Sequence, residues 1–194
     1  MPRRCERVRS RVSARPEHPF PAAPDDALAC YRGLATLARR IAITGDSAGG
    51  NLALGLASRV DAVAVAVMSP VTDLTLSGET YQTRAEADPF FTRDQVADLV
   101  NAYVGDADPK DPLASPLFGQ LSSLPPLCID VGDDEVLLDD SRRLFARAFA
   151  AGVDAYLDVW TGMPHGFPAN VGTMKAAAQA LDAFAAFLVE KLAA

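Results

Sequence analysis

Gly45-Asp46-Ser47-Ala48-Gly49-Gly50-Asn51 is the segment whose residue types and spacing can do chemistry. Gly-x-Ser-x-Gly follows directly on the apolar run Ile41-Ala42-Ile43-Thr44, and a small-residue helical pattern comes straight after it. A serine on a sharp strand-to-helix turn is held in a strained backbone conformation, with its hydroxyl clear of the sheet. Gly45 and Gly49 read as positions where a Cβ would strike the opposite arm of that turn. The unpaired amides at the start of the next helix can hold developing negative charge, with the Ala48 N–H as one donor. The chemistry this suits is attack by Ser47 on a carbonyl carbon. A phosphate-cradling loop fits less well, because no Lys follows the glycines and Gly45–Gly50 lacks dinucleotide-binding spacing.

Such a serine needs a base, and the chain has two histidines. His165 lies in Gly162-Met163-Pro164-His165-Gly166-Phe167, a loop that follows an apolar strand pattern. His18 lies in a proline-rich turn and reads as a packing or surface residue. The base needs an acid to orient it and to stabilise the imidazolium. Asp133, Asp134, Glu135, Asp139 and Asp140 crowd the segment after Leu127–Val131, and by residue type any of them could serve. Asp139 also reads as the cap of the next helix. The order Ser, acid, His is that of α/β sheets carrying a nucleophile elbow.

The elements that must position these groups alternate. Asp25 or Asp26 is expected to cap a helix with Ala27, Leu28, Tyr31, Leu34 and Leu37 on one face. Strands are expected at Ile41–Thr44, Ala62–Met68, Leu127–Val131 and Ala155–Trp160. Helices are expected at about Ala48–Arg59 and Asp139–Ala151, the latter stopped by Gly152. A long alanine-rich helix closes the chain. Between Val71 and Pro125 the sequence is irregular, with one clear helix capped by Thr92 and carrying Val96, Leu99, Val100 and Tyr103 on one face. Alternating strands and helices imply right-handed crossovers and a parallel sheet covered on both faces. Chemistry in such sheets gathers beyond the carboxyl ends of the strands.

At 194 residues the chain is read as one domain. Its net charge of −7 argues against nucleic acid as a partner. Six of the first fifteen residues are Arg, a short stretch that reads poorly as a transit peptide or nucleic-acid arm. No apolar run reaches the roughly 18 residues of a membrane span. Three cysteines without metal or redox spacing fit a reducing, cytoplasmic setting. Cys30 and Cys128 read as small buried apolar residues. Asp73 reads as structural.

Taken together, the motifs resemble the hormone-sensitive-lipase-like carboxylesterases of the α/β-hydrolase fold. Gly-Asp-Ser-Ala-Gly-Gly-Asn is similar to that family's nucleophile motif, and Pro16-Glu17-His18-Pro19-Phe20-Pro21-Ala22-Ala23 to the segment before it. Asp111-Pro112-Leu113-Ala114-Ser115-Pro116 and Leu124-Pro125-Pro126 resemble later loops. Glu135-Val136-Leu137-Leu138-Asp139-Asp140 resembles the acid-bearing motif, whose first acidic residue is catalytic. Met163-Pro164-His165-Gly166-Phe167 resembles the histidine loop. The resemblance runs from Pro16 to the C-terminus. It implies a triad of Ser47, Glu135 and His165, no cofactor and no metal, and a small-molecule ester as substrate. That ester would be short- to medium-chain, lactones included. Residues 71–125 are expected to form a cap-like insertion, with Phe90, Phe91 and Phe118 as candidate pocket residues, and Phe167, next but one to the histidine, is expected to bind substrate as well.

The sequence departs from the pattern at its start. No His-Gly-Gly-Gly oxyanion loop precedes the elbow, residues 1–15 are atypical, and the family's first strands are not found. The reading is therefore of an N-terminally truncated member: a serine esterase, or a weak or inactive hydrolase-like fragment. A buried strand at Ile41–Thr44 would then present an unpaired edge, inviting pairing with another chain, a homodimer included. A short strand over Arg7–Val12 could cover part of it.

Overall fold

The computed structural model describes residues 6–12 and 17–194. Pro16, where the family resemblance begins, lies outside them. Four strands, β1 (Ala42–Asp46), β2 (Ala64–Met68), β3 (Leu127–Asp134) and β4 (Ala155–Pro164), form one sheet in the order β1-β2-β3-β4. Every pair is parallel. Helix α1 (Ala22–Ala35) precedes β1, helices α2 (Ala48–Ala57), α3 (Thr80–Thr83), α4 (Arg93–Val104) and α5 (Leu138–Ala150) lie between strands, and α6 (Lys175–Ala193) follows β4.

The period-2 alternation of β2 and β3 sorts the core into two layers. Val65 and Val67, paired with Leu127 and Ile129, face Leu54 and Ala57 of α2 and Leu144 and Ala148 of α5. Ala66 and Cys128, the intervening pair, face Phe184 of α6. The expected coverage of both sheet faces is therefore present, and the fold is α/β.

Several local expectations are corrected. Helix α1 opens at Ala22 after Pro21, with no side-chain cap, so neither Asp25 nor Asp26 caps it. It ends before Leu37, which is exposed. Cys128 is buried, but Cys30 is only half-buried. Asp139 falls in the first turn of α5 but does not cap it. Strands β3 and β4 run three and four residues past their expected ends, because β4 stays paired with β3 as far as Asp134↔Pro164 across a register shift. Residues 6–12 carry no strand, so among the described residues β1 pairs with β2 alone. Thr92 does cap α4, through a reciprocal capping box with Gln95.

Candidate active site

Ser47 occupies the turn between β1 and α2 with φ 53° and ψ −119°. That positive φ is uncommon for a residue with a side chain and is the strain an elbow requires. Its amide donates to Met68 O at 2.9 Å, and its carbonyl accepts from Asn51 N and Val71 N. A Cβ on Gly45 would overlap the Gly49 carbonyl, so only glycine fits there. Gly49 itself faces open space. The second close approach is at Gly50, where a Cβ would lie 2.9 Å from the Pro70 side chain. Asn51 ties the elbow down by donating to Val71 O (2.9 Å) and Ala114 O (2.7 Å).

Beyond the same rim of the sheet, His165 Nδ1 meets Glu135 Oε2 at 2.6 Å. Glu135 is fully buried, and the His165 side chain is 9% exposed. The other oxygen of Glu135 accepts from Ser69 Oγ at 2.7 Å and Gly132 N at 2.8 Å. The two ends meet because Gly132 has no side chain: a Cβ there would overlap the Met163 carbonyl. Gly166, in the left-handed region at φ 66°, turns the chain away immediately after His165.

The crowded acids separate cleanly. Asp133 accepts from Gly162 N, and Asp134 lies 3.9 Å from Arg84. Asp139 accepts from Thr80 N. Asp140, wholly buried, accepts from Thr72 N and Asp73 N, tying α5 to the loop after β2. Asp73 binds Thr75, Ser77 and Arg143, all within its own structural turn or on α5. Of these acids, Glu135 is the one hydrogen-bonded to the imidazole.

Burial alone would lower the pKa of His165. The hydrogen bond and charge of Glu135, with the charges of Asp46 and Asp88 behind them, outweigh it and raise the imidazole above its ordinary value. Asp46, next to Ser47, is raised by burial, with His165 pulling it down and Glu135 pushing it up. Ser47 therefore sits beside a residue that feels both other members of the set. Among the described residues no hydrogen bond joins the Ser47 hydroxyl to the imidazole. Such contacts often close only when substrate arrives.

A cavity of about 150 Å³ opens beside Ser47, lined among others by Ala48, Leu74, Phe91 and Leu137. The expected face of α4 supplies one wall, with Val96, Leu99, Val100 and Tyr103 all at the cavity. Leu99 is 60% exposed, so that wall reaches the mouth. Phe91 also sets its ring edge-on to His165, with centroids 5.1 Å apart. The other aromatic candidates go elsewhere. Phe90 is exposed. Phe118 is half-buried and away from the cavity. Phe167 is fully buried beside Trp160, with Ala177 and Ala180 of α6. His18 is exposed. Sequence reasoning missed Ser69, Gly132 and Asp88, and named Asn51 within the elbow motif without its tethering bonds. Ser69 has φ 43°, which no residue type announces. Gly132 could have been noticed as a glycine at a strand end.

No helix among the described residues is long and apolar enough to cross a membrane. Residues 11–169 match the alpha/beta hydrolase fold family. The chain is 39% identical over 159 residues to an acetyl-hydrolase of Streptomyces hygroscopicus, covering 77% of this chain and 53% of that protein. It is 36% identical over 182 residues to an esterase of Acinetobacter venetianus, covering 89% of this chain and 60% of that one. The crystal structure of an esterase from the bacterial hormone-sensitive lipase family superposes with a TM-score of 0.88 at 39% identity, covering 91% of this chain and 63% of the other. The chain thus spans between half and two thirds of the length of these relatives. A strained serine between β1 and α2, a buried acid–imidazole pair beyond the same rim, and these likenesses agree: the chain belongs to the α/β-hydrolase fold family, in its hormone-sensitive-lipase-like branch.

Proposed function

We propose that this chain carries the catalytic machinery of a serine carboxylesterase acting on small carboxylic esters of short acyl chain. The observation that carries this reading is the 2.6 Å contact between His165 Nδ1 and buried Glu135, beyond the rim that presents Ser47. Glu135 fixes the tautomer in which Nε2 is free to take a proton. In the proposed reaction His165 accepts the Ser47 proton as Ser47 Oγ bonds to the ester carbonyl carbon. The tetrahedral oxyanion lies against the unpaired amides at the start of α2, with Ala48 N–H as one donor. The C–O bond to the alcohol then breaks, and the alcohol leaves with the proton from His165. Water, deprotonated by the same imidazole, attacks the acyl-enzyme, releasing the acid and restoring Ser47.

The names of the relatives, acetyl-hydrolase and esterase, support the ester class, and the cavity of about 150 Å³ supports a short chain. Lactones would use the same steps. The test is turnover of p-nitrophenyl butyrate by the purified chain and by Ser47→Ala, with stoichiometric labelling by a fluorophosphonate. Turnover and labelling that vanish in Ser47→Ala establish the reading. Equal background rates in both proteins overturn it and leave a non-catalytic hydrolase-like module.

A further inference from the structure

Asp88 is a buried carboxylate outside the catalytic set, and its two oxygens reach in different directions. Oδ1 accepts from the amides of Phe90 at 2.8 Å and Phe91 at 3.0 Å. Those bonds make an ordinary local turn around Pro89, of the kind an Asp forms with backbone two and three residues on. Oδ2 does something the turn does not require. It accepts from Val136 N at 2.8 Å, 48 residues further along the chain and directly after Glu135.

One side chain therefore grips the backbone of the residue after the proposed catalytic acid and the backbone of the aromatic that stands edge-on to His165. Phe91 also lines the cavity beside Ser47. Thr80 holds the acid loop as well, accepting from Asp139 N and donating to Val136 O, but none of its bonds reaches the pocket wall. The negative charge of Asp88 adds to the charges that favour the imidazolium of His165.

We propose that Asp88 is a positioning residue for the hydrolytic site, setting the acid loop and the Phe91 wall in register so that the imidazole is held between them. This rests on the Ser47-His165-Glu135 reading. Asp88 touches neither substrate nor the reacting atoms. Its effect passes through Glu135 and Phe91, so losing it should slow chemistry and loosen the pocket together. Removing only the Val136 link should slow chemistry while sparing the pocket.

The test compares Asp88→Ala and Asp88→Asn with the full chain, using p-nitrophenyl butyrate and active sites counted by fluorophosphonate. Asp88→Asn can keep one oxygen on the Phe90 and Phe91 amides while turning an amide group toward Val136 N–H. The expected result is a kcat at least tenfold lower in both variants per titrated site. KM should rise several-fold in Asp88→Ala and stay within about twofold in Asp88→Asn. A merely structural residue would lower the melting temperature and leave kcat and KM per titrated site unchanged, and that result overturns the proposal. If Asp88→Ala does not fold, Asp88→Asn alone decides through its kcat. Ser47→Ala, assayed in parallel, keeps the two readings apart. A Ser47→Ala protein that still turns over defeats the esterase reading. A dead Ser47→Ala beside wild-type Asp88 variants defeats only this one.

Discussion

Ser69 donates its hydroxyl to Glu135 Oε1 at 2.7 Å from a buried backbone held at φ 43°. With Gly132 N on the same oxygen, the carboxylate is fixed on one side before it meets His165 on the other. Ser69→Ala should remove one charge-assisted bond of about 1.5–3 kcal/mol and lower kcat by about tenfold. Ser69→Gly relieves the backbone but also lacks the hydroxyl. Equal kcat losses in the two, by steady-state ester hydrolysis, would assign the effect to the hydroxyl; a Gly variant at the wild-type rate would refute it.

The pKa of His165 gives the direction of the pH profile. The base must be neutral, and its pKa is raised, so kcat/KM should climb with pH through a midpoint above the ordinary histidine value of about 6.5. Glu135→Gln removes the main opposition to burial, so the midpoint should move to lower pH and turnover should fall by about 10³–10⁴. The raised value also bears on folding. The native state keeps a proton that the unfolded chain loses, so this contribution is complete below about pH 6.5 and disappears as pH rises through the folded value. A kcat/KM profile whose midpoint is the same in wild type and Glu135→Gln would contradict the coupling.

Gly132→Ala is expected to part the two loops. Its Cβ would occupy the place of the Met163 carbonyl, two residues before His165. The expected outcome is a folded protein with activity reduced at least a hundredfold and slowed labelling of Ser47. Gly49→Ala, into open space, should leave the fold intact and serves as the contrast. Comparable activity in the two variants would rule out the close approach.

Asp140 separates stability from chemistry. Burial pushes its pKa up to about 7, against the pull of the Thr72 and Asp73 amides. The native carboxyl keeps its proton where the unfolded chain has lost it, so stability should decline from about pH 4 to about pH 7. Asp140→Ala leaves two buried amides without acceptors and should cost about 2–3 kcal/mol. Asp140→Asn retains an acceptor without the titration and should flatten the decline. Urea melts at several pH values test this, and an unchanged slope in Asp140→Asn would count against it.

Phe91→Ala should widen the cavity beside Ser47 and shift preference toward longer acyl chains. The ratio of kcat/KM for the octanoate to the butyrate ester should rise several-fold. The same change at exposed Phe90 should leave the ratio alone.

What was legible in the sequence followed from local rules. The elbow showed because glycine spacing, an apolar strand and a small-residue helix coincide within eleven residues. The α4 face showed through its 3.6-residue period and the Thr92 cap, and that face lines the cavity beside Ser47. Residue chemistry alone left the acid open among five candidates; family resemblance favoured Glu135, and the structure pairs it with His165 through contacts distant in sequence. Ser69 and Asp88 stayed hidden for the same reason, since their partners lie 66 and 48 residues away. Phe167 was misplaced because neighbouring a histidine in sequence says nothing of which way a ring points.

Among the described residues β2 and β3 are clamped from both sides, whereas β1 is held by β2 alone. Within that four-stranded sheet the serine follows a marginal strand, while the imidazole's acid follows a central one. Margins fray before centres on heating. A polypeptide of these 194 residues should therefore fall silent toward an active-site probe at temperatures where its helices are still intact.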